Sequence, residues 1–102
     1  MTAWVYILRC ADGSYYTGLT TALDQRMAQH RAGTFDGYTA SRLPLDCVWT
    51  GAFQSIHEAI DYERRVKRWT RAKKEALIAR DWDRLQTLAS RAGPAIPKPK
   101  SS

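Results

Sequence analysis

Apolar and polar positions alternate with period two in two short runs near the start of the chain. Ala3 to Cys10, rich in aromatic and branched residues, reads as a strand, and Ser14 to Leu19 reads as its antiparallel partner. Asp12-Gly13 between them is a turn signal. Loop length then decides which side chains share a face. A two-residue Asp12-Gly13 turn pairs Cys10 with Tyr15 and puts Tyr6 and Tyr16 on opposite faces. A three-residue loop, Ala11-Asp12-Gly13, with Gly13 left-handed, pairs Leu8 with Tyr16 and points both tyrosines the same way. Periodicity admits both registers; the second is favoured.

Helical spacing follows from Thr20 to Ala32, with Leu23 and Met27 as the apolar stripe, Thr20 or Thr21 as N-cap and Gly33 as the stop. Arg26 and His30 lie four apart on an adjacent stripe, at the border between core and solvent. Thr34 to Pro44 is polar and reads as a loop, carrying Tyr38, Thr39, Ser41 and Arg42, all able to touch phosphate or base. Leu45 to Phe53 reads as a third strand centred on Cys47-Val48-Trp49. Ser55 then opens a helix, with Glu58 completing a capping box and Ile56, Ala59, Ile60 and Val66 on its buried side. Thr70 caps a short helix over Ala72 to Ala79, with Leu77 and Ile78 inward. Asp81 caps a last one with Trp82, Leu85 and Leu88 at core spacing. The expectation is one folded domain over 1–91 and a disordered Pro- and Lys-rich tail over 92–102.

At 102 residues, 44% apolar and with 4 tryptophans, the chain has material for one compact core without disulfides. Cys10 and Cys47 are too few for a disulfide framework or a structural zinc site, and both read as buried small apolar residues. There is neither a signal-like N-terminal segment nor an apolar run of membrane-spanning length, so the cytoplasm is the default location, with no membrane partner. A monomer is the default assembly. The net charge of +6 points to a polyanionic partner, although many small soluble proteins are basic without one.

Candidate chemistry concentrates at few positions. Glu63 falls in the middle of the buried side of its helix, where an ionised carboxylate is costly unless paired or metal-bound. Arg64, Lys67 and Arg26 are available as ion-pair partners. As a metal ligand, a lone carboxylate suits Mg²⁺, which keeps several waters and shares substrate phosphate. Arg26 reads either as a surface arginine paired with Asp24 or Glu63, or as a planar donor fork for charge building on phosphorus. His30 by itself reads as a hydrogen-bonded boundary histidine. Tyr6 and Tyr16 by themselves are strand aromatics, and a phenol is a poor base unless nearby cations, here Arg26 and Lys67, lower its pKa. The stretch Arg64, Arg65, Lys67, Arg68, Arg71, Lys73 and Lys74 exceeds what solubility needs and would bind phosphates without reading sequence. Trp69 within it is either core or a stacking surface.

Taken in order, Trp4-Val5-Tyr6, Tyr16-Thr17-Gly18, Arg26, His30, Tyr38-Thr39 and Ala59-x-x-x-Glu63-x-x-Val66-Lys67 resemble the GIY-YIG nuclease superfamily over about Trp4 to Ile78. The first triplet keeps the tyrosine but not the Gly-Ile, and the second has threonine for isoleucine. The resemblance implies an α+β fold, a three-stranded antiparallel sheet flanked by helices. It also implies phosphodiester hydrolysis with Mg²⁺ or Mn²⁺. On that likeness Glu63 is the metal ligand, Arg26 the phosphate stabiliser and Tyr6 the group that activates or positions water. Tyr16 and His30 assist, and Gly18 allows close packing. Tyr38, Arg42, Arg64, Lys67, Arg68, Arg71, Lys73 and Lys74 are the expected nucleic-acid contacts. The expected function is an endonuclease acting on DNA and directed by structure or damage more than by sequence. The alternative is a DNA- or RNA-binding module that kept the fold and cleaves little.

Overall fold

The computed structural model describes residues 2–89 and 96–99. Strands β1 (Ala3–Arg9), β2 (Tyr15–Thr20) and β3 (Asp46–Phe53) form one antiparallel sheet in the order β2-β1-β3. Around it pack α1 (Leu23–Ala32), the single-turn α2 (Gly37–Ala40), α3 (Ile56–Arg68), α4 (Arg71–Ile78) and α5 (Trp82–Ala89). This is the α+β arrangement expected.

The central strand explains the layering. Val5, Tyr6, Ile7 and Leu8 are all buried, so β1 is covered on both faces, which is why its pattern is a continuous apolar run. Val5 and Ile7 face the larger core with Trp49, Tyr62, Val66 and Leu77, while Tyr6 and Leu8 face the opposite side against Met27, Leu23 and Leu45. The hairpin has the three-residue loop: Leu8 pairs with Tyr16, and Gly13 has φ 86°. The Cys10 N–H donates to the Ser14 carbonyl at 2.8 Å, closing the loop.

Several boundaries differ from the sequence expectation, each for a local reason. On β3, Ile7 pairs with Trp49 but Leu8 with Cys47, so Val48 is the extra residue of a β-bulge. This bulge on an edge strand leaves Cys47 exposed, whereas Cys10 is buried as expected. Thr20 does not cap α1: its Oγ1 accepts from the Ala22 N–H at 3.0 Å, fixing the turn before a helix that begins at Leu23. Gly33 does end it, at φ 72°. Inside the expected loop, Asp36 accepts from the Tyr38 N–H at 2.8 Å and starts α2. Ser55, Thr70 and Asp81 cap α3, α4 and α5 through bonds from Glu58, Lys73 and Arg84.

The buried stripe of α3 is Ala59, Tyr62 and Val66; Ile60 is half-buried and Ile56 is exposed. Tyr62 stacks on Trp49 with centroids 6.1 Å apart and takes the edge of Trp69 at 6.1 Å, so Trp69 belongs to the core and not to a stacking surface. The tail departs from the expected disorder where it is described. Ile96 is buried, its N–H donates to Gln86 Oε1 at 3.0 Å, and its carbonyl accepts from Gln86 Nε2 at 2.6 Å. The ammonium of Lys98 sits 5.5 Å from the Trp82 ring. Residues 92–95 and 100–102 of the expected tail lie outside the described residues. Among the described residues no helix is long and apolar enough to cross a membrane.

Candidate active site

A missing side chain at the outer strand of the sheet creates the site. Tyr6 on β1 lies opposite Gly18 on β2, and its ring extends over the bare Cα. A Cβ at Gly18 would overlap the Cζ and Oη of Tyr6, so glycine is required there for close approach. With the three-residue loop, Tyr16 shares the face of Tyr6, and the two rings lie 6.4 Å apart.

From α1, His30 enters between these rings. It is buried at 1% exposure rather than sitting at a solvent border, because the short α2 segment closes over it. Its Nε2 lies 2.8 Å from the Tyr6 hydroxyl, and its Nδ1 lies 3.0 Å from Thr39 Oγ1. Proton positions follow from counting donors. The Thr39 hydroxyl donates to the Asp36 carbonyl at 3.2 Å, so its oxygen accepts from the imidazole Nδ1–H. Nε2 then carries no proton and accepts from the Tyr6 O–H. Burial lowers the pKa of His30, and the Arg26 charge lowers it further against a smaller opposing effect of Asp36, which keeps this imidazole neutral.

Arg26, one turn earlier, pairs with neither Asp24 nor Glu63. Its Nε donates to Gln29 Oε1 at 3.2 Å, its Nη1 donates to the Leu19 carbonyl at 3.2 Å, and its Cζ lies 3.7 Å above the Phe35 ring. These contacts hold the guanidinium in one orientation beside the Tyr6 hydroxyl. Its charge reaches the Tyr6 phenol, whose pKa burial nevertheless raises; Arg26 opposes the rise, and Glu63 and Asp36 add to it. Desolvation thus outweighs the Arg26 charge at Tyr6. Tyr16 is also pushed up, first by burial and then by the Tyr6 and Asp36 charges.

Glu63 approaches from α3. Its side chain is 17% exposed and pairs with Lys67 Nζ at 3.4 Å, and Lys67 is itself 53% exposed. The carboxylate is neither sealed in a dry pair nor bonded to Arg26. An exposed lysine partner holds it only weakly. Among the described residues no three His, Cys, Asp or Glu side chains cluster as a cation cage. This donor set fits a hard divalent cation held by one carboxylate with waters and substrate oxygens, and not a cation needing a full protein shell.

Asp36 is the functional candidate that sequence reasoning missed. Half-buried at the N-terminus of α2, it accepts from the Tyr16 hydroxyl at 3.3 Å and from the Tyr38 N–H. An Asp immediately before Gly37-Tyr38-Thr39 is a cap signal that could have placed it.

The basic stretch does not form one surface. Lys67 and Lys74 line an open cleft of about 430 Å³ beside Tyr16, whereas Arg65 lines a separate cavity with Phe53 and Tyr62. Arg71 pairs with Glu75 at 3.2 Å and lies 4.5 Å over the Tyr15 ring. Arg64 and Arg68 are exposed on α3, and Lys73 is half-buried on α4. Arg42, expected at phosphate, is held by Asp12 at 3.0 Å and stacks on Tyr38 at 3.7 Å.

The family profile of the GIY-YIG catalytic domain matches residues 2–76. The chain is 47% identical over 79 residues to the UPF0213 protein BH0048 of Halalkalibacterium halodurans, covering 78% of this chain and 84% of that one. It is 47% identical over 74 residues to a UPF0213 protein of Halobacterium salinarum, covering 72% and 96%. The solution NMR structure of the UPF0213 protein BH0048 from Bacillus halodurans superposes with a TM-score of 0.53 over 78% of this chain and 84% of that one. That of the protein EF2693 from E. faecalis, 34% identical, superposes with a TM-score of 0.57, over 79% and 86%. With this match over most of its length, the chain belongs to the GIY-YIG nuclease superfamily.

Proposed function

We propose that the protein is an endonuclease that hydrolyses DNA phosphodiester bonds with the help of a divalent cation, Mg²⁺ or Mn²⁺, and is directed by DNA structure or damage more than by sequence. The observation that carries this reading is the meeting of Tyr6, Tyr16, His30, Arg26 and Glu63, from four different elements, around the bare backbone of Gly18.

In this reading Glu63 would hold the cation, which would supply charge for the phosphate and the departing alkoxide. Lys67, the present partner of Glu63, is largely exposed and holds it only weakly. The Arg26 guanidinium offsets charge on the non-bridging phosphate oxygens, and its bonds to Gln29 and Leu19 fix its orientation before substrate arrives. Tyr6 is too weak an acid to stand as a phenolate at neutral pH. Its proton is instead already directed at the free Nε2 of neutral His30, so the phenol oxygen can take a proton from water as it hands its own to the imidazole. Thr39 holds the imidazole in the tautomer this relay needs.

The test is incubation with nicked, flapped, branched and single-stranded DNA in Mg²⁺ or Mn²⁺, with Glu63→Ala alongside. Metal-dependent cleavage by the wild type, lost in a variant that still binds, supports the nuclease. If both bind and neither cuts any substrate, the enzymatic reading fails and a binding module on the same fold takes its place.

A further inference from the structure

The catalytic cluster opens onto the cleft of about 430 Å³ between β2, α2 and the α3–α4 corner, and four observations describe what that cleft is built to hold. Thr17 forms part of its floor and is 4% exposed, with its Oγ1 shut away from the cleft. Lys74 on the same side has no carboxylate within ion-pair distance among the described residues, and burial with the neighbouring Arg71 charge lowers its pKa. Tyr38 at the other side is 39% exposed, lies 6.2 Å from Tyr16 in a stacked arrangement, and carries Arg42 on its ring. Asp36 lies at this aromatic side, away from the lysines contributed by α3 and α4.

The cleft is therefore polar along its width: cationic on the helix side, aromatic and acidic on the α2 side. A single nucleotide has the same polarity. Its phosphate matches Lys67 and Lys74, its ring system matches the tyrosine surfaces, and its N–H donors match the acceptor capacity left on Asp36. A base paired within a duplex cannot present its face to these tyrosines, because its neighbours already occupy it.

We propose that this cleft seats one unpaired nucleotide next to the scissile phosphate, with the phosphate on Lys67 and Lys74 and the base against Tyr38 and Tyr16. The proposal deepens the nuclease reading and rests on it for the words "scissile phosphate". The seat itself is a binding site that can be tested without cleavage. It also assigns Asp36 and Tyr38 to substrate contact.

Binding is measured in EDTA, so that failure of the seat and failure of catalysis give separate readouts. Thymidine 3′,5′-bisphosphate is titrated against the protein by NMR, with inorganic phosphate as the comparison. The expected result is perturbation of Thr17, Tyr38 and Lys74, with the bisphosphate binding more tightly than phosphate alone. A labelled single strand should bind more tightly than a blunt duplex of the same length by fluorescence anisotropy. Tyr38→Ala should weaken the single-strand complex roughly tenfold and the duplex complex little. Tyr38→Leu and Lys74→Met, with melting curves as a folding check, serve if the alanine variant does not fold. Equal affinity for bisphosphate and phosphate, or equal loss on both DNAs in Tyr38→Ala and Tyr38→Leu, would overturn the seat. Cleavage assays in Mg²⁺ judge the nuclease reading independently.

Discussion

The hydroxyl of Tyr6 and the Nε2 of His30 lie 2.8 Å apart, both side chains buried, and the Thr39 hydroxyl on the far side of the imidazole decides which atom donates. This relationship joins β1 to α1 through a polar bond inside an otherwise apolar layer. A partly broken buried network costs more than an apolar one, so each member depends on the others. The network also gives the folded state a neutral histidine where the unfolded chain has an ordinary one.

That difference sets a pH dependence. The folded pKa of His30 is depressed below its ordinary 6.5, so the unfolded chain binds the extra proton first. The stabilisation is fully present above pH 6.5 and is lost as pH falls toward the folded value. Melting temperature followed downward from pH 8 should therefore fall more steeply below this point in the wild type than in His30→Gln, which cannot be protonated. Parallel curves for the two proteins would show that His30 is not buried neutral. Cleavage should follow the same limb, because a protonated Nε2 cannot accept from Tyr6.

Gly18→Ala isolates the close approach over β2. Alanine is no worse than glycine in a strand by propensity, so any loss reports the overlap with Tyr6. The expected cost is about 1–3 kcal/mol in urea unfolding, with a loss of activity. In a Tyr6→Leu background the same substitution should cost much less. A double-mutant cycle without coupling would mean that the ring does not lie over Gly18.

Local signals made the hairpin legible: a turn dipeptide and alternation left two registers, and the favoured one, with Gly13 left-handed, puts Tyr6 and Tyr16 on one face. Cap residues likewise placed the starts of α3, α4 and α5. Cys47 was misread because a one-residue bulge leaves no mark in a short apolar run. Tyr62 was overlooked as core because Ile56 and Ile60 suggested a stripe rotated away from the true one. The depth of His30 was also hidden, since it depends on α2 folding over the imidazole. The sign of the Tyr6 shift depended on desolvation, which spacing does not report. The charge run looked like one surface only because sequence order does not show that α3 and α4 distribute it around the fold.

Arg42 provides a contrast between structural and ligand-facing cations. Its Nε bonds Asp12 at 3.0 Å, its Nη1 bonds the Tyr38 carbonyl at 3.0 Å, and the Tyr38 hydroxyl bonds Ser14 Oγ at 2.8 Å, which latches the hairpin loop to α2. Arg42→Ala should lower the melting temperature, and Asp12→Ala should do the same with little further loss in the double variant. The slope of log affinity for DNA against log salt should stay unchanged in Arg42→Ala, while Lys74→Met, which removes a lysine proposed to meet phosphate, should reduce its magnitude by about 0.9. A comparable drop in slope for Arg42→Ala would place it at phosphate after all.

The packing of Ile96 makes the last prediction. The Gln86 amide bonds both the N–H and the carbonyl of this residue, while its side chain joins the core that includes Trp49 and Leu85. If that contact is part of the folded domain, Ile96→Ala should cost about 2–5 kcal/mol in urea unfolding, as a buried aliphatic deletion does. Gln86→Ala should cost about 1 kcal/mol, because the two backbone groups it serves can turn to water. An unstructured segment at this position would give no change for either. Both variants should cleave DNA at the wild-type rate below their melting temperatures, because Ile96 packs on the α5 side of the sheet and the proposed catalytic groups gather over Gly18.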